Sequence, residues 1–286
     1  MSDDRVRDEE AGMAQQVIVV IGVGGMGQAI ARRIGPGAQV IVADHDERVL
    51  KAAAGRLEAE GYQVAAQPVD VSARGSVAAL AGLAASLGEV RTVVHTAGLS
   101  PVQAPIPAIL AVDLLGVALV LEEFGRVVAA GGAGLVISSM AGHMHPPLPS
   151  EQAVRLATAP ADELLSLPVC AESRFGDSGA AYSFAKHASQ LRVQAASTTW
   201  GARGARVNSI SPGVITTPMG RAELDGEHGA GMRMMIESSN AGRAGTPADI
   251  AAAAEFLLGP AAGFISGTDL LVDGGVTAAV RSRRLG

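Results

Sequence analysis

The chain has 286 residues and a formal net charge of −6, with hydrophobic residues at 48% and aromatics at only 3%. An acidic balance without a lysine-rich run excludes a nucleic-acid surface, and the single cysteine, Cys170, excludes an intrachain disulfide and a cysteine-based metal cluster. So much alanine and glycine in a chain of this length suits helices packed closely on a sheet in one large α/β domain.

Residues 1–14 are acidic and polar at their start, lack the apolar core of a signal peptide, and are expected to be a disordered tail. The longest apolar stretch is interrupted by Asp113, Glu122 and Glu123, so no membrane span is expected. These features together predict a soluble, cytoplasmic protein.

From residue 15 onward the pattern is regular. Val17–Ile21 is a β-branched run suited to a strand buried on both faces. Gly22-Val23-Gly24-Gly25-Met26-Gly27 follows, then a helical stretch over 28–34. A GxGxxG between a strand and a helix is the setting of a dinucleotide site: small residues let the backbone approach a pyrophosphate, and the helix N-terminus supplies N–H donors. A second strand, 39–43, ends in Asp44, close to where a carboxylate would accept the adenosine ribose hydroxyls and repel a 2′-phosphate. NAD is therefore favoured over NADP, although Arg48 could assist a 2′-phosphate. Asp46 and Glu47 read as helix-start acids.

A helix over 46–60 and a strand over 62–66 come next, then a β segment closing at Asp70-Val71, with Ser72 as the expected helix N-cap. The fourth strand, 91–95, runs into Thr96-Ala97-Gly98. Residues 105–130 read as one long helix, and 134–139 as the fifth strand. The stretches 206–213 and 268–275 are the sixth and seventh strands. Strands alternating with helices throughout predict a Rossmann-type, doubly wound parallel sheet of about seven strands in a single domain, residues 15–286.

Tyr182 and Lys186 stand four apart in a helical stretch, on one face. Lys51 and Lys186 are the only lysines of the chain. An ammonium beside a phenol favours the phenolate, which makes a tyrosine usable for proton transfer below its free pKa of about 10.

These motifs, in this order, resemble the short-chain dehydrogenase/reductase family from about residue 15 to about residue 280. Gly22 to Gly27 takes the place of the family's glycine loop. Asp70 and Val71 resemble the pair that holds the adenine ring, and Thr96-Ala97-Gly98 stands where the family has its NAG turn. Ser139 resembles the catalytic serine, and Tyr182 with Lys186 matches YxxxK. Pro212-Gly213-Val214-Ile215-Thr216-Thr217 is similar to the PGxxxT turn that seats the nicotinamide carboxamide, with Pro212, Gly213, Ile215 and Thr217 as its cofactor contacts. Phe264-Ile265-Ser266-Gly267 and Val272-Asp273-Gly274-Gly275 are similar to the C-terminal signature.

The resemblance implies that Tyr182 exchanges a proton with the substrate oxygen, that Lys186 lowers its pKa and holds the nicotinamide ribose, and that Ser139 hydrogen-bonds the same substrate oxygen. It implies an NAD(H)-dependent oxidoreductase acting on a secondary alcohol or ketone; the insertion over 140–181 and the methionine-bearing loop over 218–240 point to a largely apolar substrate, steroid-like or otherwise bulky and lipophilic. A 3-oxoacyl thioester reductase and a non-catalytic dinucleotide-binding regulator are the alternatives. It also implies a homodimer or homotetramer assembled through the helices of the 105–130 and 180–200 stretches.

The chain departs from the family pattern at four places. The glycine loop is one residue shorter and begins at Ile21 in place of a threonine. His95-Thr96 replaces an asparagine pair, so one loop-fixing side chain is lost. Asp113 stands where a catalytic asparagine is usual; it is either a participant in proton relay or a simple helix residue, and a buried carboxylate there would need a partner. Residues 140–181, between Ser139 and Tyr182, form a long insertion that resembles the one in the bacterial 3α-hydroxysteroid dehydrogenase/carbonyl reductase branch. With both ends beside the site it is a candidate lid or substrate wall. His143 and His145 within it read as solvated loop histidines, with no metal site. Residues 218–240 take the place of the mobile substrate-binding loop, and Met219, Met232, Met234 and Met235 there suit either a pliable apolar surface or core.

Overall fold

The computed structural model describes residues 15–102, 104–226 and 229–285. The expected tail, 1–14, lies outside the described residues. Seven strands form one parallel sheet: β1 (Gln16–Ile21), β2 (Gln39–Asp44), β3 (Gln63–Pro68), β4 (Glu89–His95), β5 (Val128–Ile137), β6 (Arg206–Pro212) and β7 (Asp269–Val272), in the order β3-β2-β1-β4-β5-β6-β7. The order reverses between β1 and β4, so a crevice opens there at the C-terminal strand ends, as expected in an open α/β sheet.

Alternation along β1 divides two cores. Val17, Val19 and Ile21 face one layer; Ile18 and Val20 face the other. The second layer holds α1 (Gly25–Ile34) and α2 (Glu47–Ala59). The first holds α3 (Arg74–Leu87) and α4, residues 106–125, in which Ile106–Ile109, a π-helical stretch Leu110–Gly116, and Val117–Gly125 run on without a break. After β5 come the short α5 (Met140–Met144), α6 (Ser150–Thr158) and α7 (Ala161–Leu164), then the long α8 (Ser178–Gly201), which joins the first layer. Beyond β6 lie α9 (Pro218–Asp225), α10 (Gly229–Glu237), α11 (Pro247–Leu258, on the second layer) and, after β7, α12 (Val276–Leu285).

Three sequence expectations shift. The long helix stops at Gly125 and the strand after it starts at Val128. An apolar run satisfies either period; Arg126 and Val127 form the turn, and the β-branched Val128 opens the strand. Ser72 does not cap α3: its N–H and hydroxyl both donate to Asp70, at 2.9 and 2.6 Å, and the N-cap is Ala73. β7 is four residues long. The Asp273 carboxylate accepts the N–H groups of Gly275 and Thr277, folding the chain away from the sheet into α12.

The insertion is fastened to the first layer. Leu156, Ala161, Leu164, Leu167 and Cys170 are buried in the same cluster as α4 and α8. Arg192 of α8 donates to the carbonyls of Leu156 and Ala159, and Glu122 of α4 accepts the Ala161 N–H at 2.8 Å. Arg74 of α3 reaches Glu122, Glu123 and Asp162 at 2.8, 2.5 and 2.9 Å, clamping α7 to α4. Burial pushes the Cys170 thiol up to about 11, which makes it an inert core residue. Leu156→Ala is expected to destabilise the protein by about 2–5 kcal/mol through lost transfer energy and a cavity. Urea unfolding measures this; a change below about 0.5 kcal/mol would show that the insertion is not part of the cooperative core.

Candidate active site

The crevice begins at the glycine turn. Gly22 has φ of +88°, and a side chain there would meet the backbone of Ala97 at 2.4 Å. The first turn of α1 packs as tightly, since a Cβ on Gly27 would fall 2.0 Å from the Gly22 carbonyl. Thr96 fixes this arrangement by donating its hydroxyl to Gly22 O at 2.5 Å. The loss expected at the asparagine pair is thus confined to His95, which is fully buried and has neither ring nitrogen hydrogen-bonded to a described group.

No side chain caps α1, so the first-turn N–H groups of Gly25, Met26 and Gly27 lack a protein partner there, while a Cβ on Gly24 would meet nothing within 4 Å. Open space beside uncapped N–H groups at a helix N-terminus fits a pyrophosphate. Asp44 closes the far side: its carboxylate accepts the N–H of Val23 at 2.8 Å and of Asp46 at 3.0 Å, leaving lone pairs for ribose hydroxyls. Asp46 caps α2 as expected, and the side chain of Arg48, 91% exposed, lies 3.9 Å from Asp46. Asp70 is held ionised by Ser72, whose hydroxyl bond is the largest cause of its lowered pKa. Val71 packs against Gly116 of α4, where a Cβ would meet it at 2.8 Å.

Across the crevice, Pro212 ends β6 and Gly213 abuts Asp273. Ile215 bridges to Gly245, and Thr217 caps α9 by accepting the Gly220 N–H. The Thr217 methyl stands 3.0 Å from where a Cβ on Gly25 would be, so the two loops, far apart in sequence, touch at the crevice mouth.

Ser139 follows β5 and caps α5, accepting the Ala141 N–H at 3.1 Å. Beyond the insertion, Tyr182 is half-buried on α8, and Lys186 is 4% exposed with its Nζ 5.5 Å from the Tyr182 ring centre. Burial raises the Tyr182 pKa; Lys186 pulls it down, Asp113 pushes it up, Ser139 pulls it down and Glu223 pushes it up, with a net rise. Asp113, in the π-helical stretch of α4, is fully buried and 2.9 Å from Lys186 Nζ, and accepts the Leu99 N–H at 3.1 Å. The partner that a buried carboxylate needs is therefore the lysine itself. Burial lowers the Lys186 pKa, but Asp113 and then Tyr182 raise it further, so the ammonium is kept.

The insertion's start is better anchored than a solvated loop. His143 is not solvent-facing: its Nε2 lies 2.7 Å from Asp269, and only 22% of its side chain is exposed. His145 stacks on His187, with ring centres 5.3 Å apart. Among the described residues no group of three or more potential metal ligands stands together. Met219, Met232 and Met235 are half-buried and Met234 is exposed, which places these methionines outside the core. Sequence reasoning missed the Asp269 contact and the isolation of His95, because both depend on pairings between distant strands and loops. No described helix is long and apolar enough to cross a membrane.

Known proteins share this sequence pattern and fold. The family model described as "short chain dehydrogenase" matches residues 16–150, and that described as "Enoyl-(Acyl carrier protein) reductase" matches residues 148–277. A short-chain dehydrogenase/reductase of Alternaria brassicicola, bsc3, is 40% identical over 267 residues, covering 93% of this chain and 97% of the relative. D-threitol dehydrogenase of Mycolicibacterium smegmatis is 32% identical, over 88% of this chain and 89% of the relative. The 3α-hydroxysteroid dehydrogenase of Pseudomonas sp. B-0831, solved with NADH, superposes with a TM-score of 0.73 at 24% identity, covering 93% of this chain and 99% of that one, and shares the fold. The chain belongs to the short-chain dehydrogenase/reductase family. It is an oxidoreductase of that type.

Thr96→Val removes the hydroxyl bond to Gly22 O while keeping the shape, and is expected to cost about 1 kcal/mol of stability. Chemical denaturation checks it; no change would show that the turn is fixed by backbone packing alone.

Proposed function

We propose that the protein is an NAD(H)-dependent dehydrogenase of a secondary alcohol, working reversibly as a ketone reductase. The observation that carries this is the placement of Ser139, Tyr182 and Lys186 at one end of the crevice whose other end is the uncapped N-terminus of α1. The crevice residues fit a dinucleotide: Gly22, Gly24, Gly25, Met26 and Gly27 would hold the pyrophosphate. Asp44 would hold the adenosine ribose, and Asp70 and Val71 would flank the adenine. Thr96, Ala97 and Gly98 would form the floor, and Pro212, Gly213, Ile215 and Thr217 would seat the carboxamide.

When bound, nicotinamide supplies hydride exchange with the substrate carbon. Tyr182 takes the hydroxyl proton in oxidation and returns it in reduction. Ser139, able to turn its hydroxyl from the Ala141 N–H, hydrogen-bonds the same oxygen and orients it. Lys186 supplies positive charge behind the phenol and would hold the nicotinamide ribose.

The choice of NAD rests on Asp44. A carboxylate fixed by two N–H groups at the ribose position repels a 2′-phosphate, and Arg48 projects away into solvent. A bulky apolar substrate is supported by the methionines of residues 218–240, which are left partly exposed beyond Thr217, and by the insertion whose ends flank Ser139 and Tyr182. The mid-part of the insertion covers α4 and α8, the helices through which the family resemblance implies assembly. Phe256 and Phe264 stay exposed on another face. A homodimer follows, not a tetramer; light scattering of the whole chain tests this, and a tetrameric mass would overturn it.

Titration with NADH and NADPH, followed by the reduced nicotinamide's own fluorescence, is expected to show NADH bound at least about 10-fold more tightly, with the preference lost in Asp44→Ala. Preference for NADPH in the parent protein would instead favour a 3-oxoacyl thioester reductase. Tyr182→Phe is expected to lower turnover of alcohols about 100-fold or more while leaving NADH binding nearly unchanged. Full activity in that variant would reject Tyr182 as the acid–base group.

A further inference from the structure

Three titratable groups besides Lys186 surround Tyr182 and the lysine behind it, and they come from different elements. Asp113 projects from α4, His95 ends β4, and Glu223 comes from α9, where it accepts the Ser100 hydroxyl at 2.5 Å. The Ser139 hydroxyl, neutral, faces the phenol from the end of β5. His95 adds no charge: burial first, and then the Lys186 ammonium, drive its pKa down to about 3. Glu223 is the weakest influence on the phenol and Asp113 the stronger acidic one. The balance of charge therefore rests on Lys186 and Asp113, whose own pKa burial raises while the Lys186 ammonium and the Leu99 N–H pull it back down, with a net rise.

Their geometry is closely determined. Nζ and the carboxylate are 2.9 Å apart, with side-chain exposures of 6% and 0%. The second carboxylate oxygen is tied to the Leu99 N–H. Lys186 Nζ also lies 3.4 Å from the Ile137 carbonyl. Gly98 borders the pair so closely that a Cβ there would strike Asp113 at 2.7 Å and Lys186 at 3.2 Å. The π-helical stretch Leu110–Gly116, with its wider i→i+5 turn, is what carries Asp113 to this spot. An acid at position 113 is thus seated against the lysine by backbone, by a hydrogen bond and by the absence of a side chain at 98.

We propose that Asp113 is a positioning residue that both fixes and electrically neutralises Lys186, so that Tyr182 works at higher pH than it would beside an unpaired ammonium. The inference rests on Tyr182 and Lys186 being the proton-transfer pair proposed above. Oxidation of an alcohol needs the phenolate, so its rate rises as pH passes the Tyr182 pKa. Reduction needs the phenol and declines there. Removing the Asp113 charge lowers that pKa, and both limbs move to lower pH.

The chain has two tyrosines, Tyr62 and Tyr182. Tyr62 lies outside the crevice, with its hydroxyl donating to the Arg32 carbonyl. In a Tyr62→Phe background the near-ultraviolet phenolate band reports Tyr182 alone, without cofactor or substrate. The expected midpoint is at or above the free value of about 10. Asp113→Asn is expected to lower it by about one unit, a tenfold change in proton affinity, and to move the alcohol-oxidation limb by the same amount. Asp113→Glu, which keeps the charge, is expected to retain the parent midpoint. An unmoved midpoint in Asp113→Asn overturns the proposal, as it would if Asp113 itself carried the proton. If Asp113→Asn does not fold, the parent midpoint decides: a value well below about 10 means that Lys186 acts without compensation and the proposal is wrong. The two readings fail separately. An active Tyr182→Phe enzyme with the expected phenolate shifts removes the catalytic assignment only, and an inactive one with unmoved shifts removes only the role of Asp113.

Discussion

A parallel sheet ends all its strands on the same edge, and the reversal of strand order between β1 and β4 leaves that edge open at one place. Nearly every residue proposed for binding or chemistry is on a strand end, or within a turn of one, at this edge. Ile21 leads into the glycine turn, Asp44 ends β2, His95 leads into Thr96-Ala97-Gly98, Ile137 precedes Ser139, and Pro212 ends β6. Lys186 and Asp113 come from helices, but Lys186 reaches the Ile137 carbonyl at the same edge. The glycine turn can exist only because Gly22 takes a left-handed φ against Ala97 and Gly27, lacking a Cβ, leaves room for the Gly22 carbonyl at its back. Without that approach α1 could not point its free N–H groups into the opening.

The chemistry at the far end of the crevice is set by how charge is buried. A lone ammonium at the depth of Lys186 would lose its proton or disrupt the fold, and a lone carboxylate at the depth of Asp113 would be equally costly. Each makes the other tolerable. The pair thus has a structural reason to exist whatever its part in catalysis, and any effect on Tyr182 is an added consequence of the same contact. His95 shows the converse solution: an imidazole in the same buried region with no partner among the described residues stays neutral.

The insertion joins two roles that a loop usually keeps apart. Its middle is a structural layer, with Leu156 and Leu164 wholly buried and Arg74 and Arg192 tying it to α3, α4 and α8. Its first residues stand beside the site, where His143 meets Asp269 and His145 stacks on His187. Anchoring of the middle against α4 and α8 leaves only the two ends, next to Ser139 and Tyr182, to border the site. Any substrate wall built from the insertion is consequently short and fixed at both sides.

Local sequence settled what depends on local physics. The β-branched runs, the GxGxxG between strand and helix, the acid ending β2 and the four-residue spacing of Tyr182 and Lys186 each follow from period, steric freedom or dipole, and the strands and most helices stand where those signals put them. Boundaries that rest on competition were not legible: Val127 and Val128 satisfy helix or strand, and Ser72 found Asp70 before it could cap α3. Contacts between distant segments were decided only by tertiary structure. Asp113 could be read from sequence as a relay group or an ordinary helix residue, because its meaning depends on a π-helical turn bringing it within 2.9 Å of a lysine 73 positions later, 186 − 113 = 73. His143 likewise looked solvated until β7 placed Asp269 beside it. Charge burial is a property of the packed interior, and the sequence carries no local trace of it.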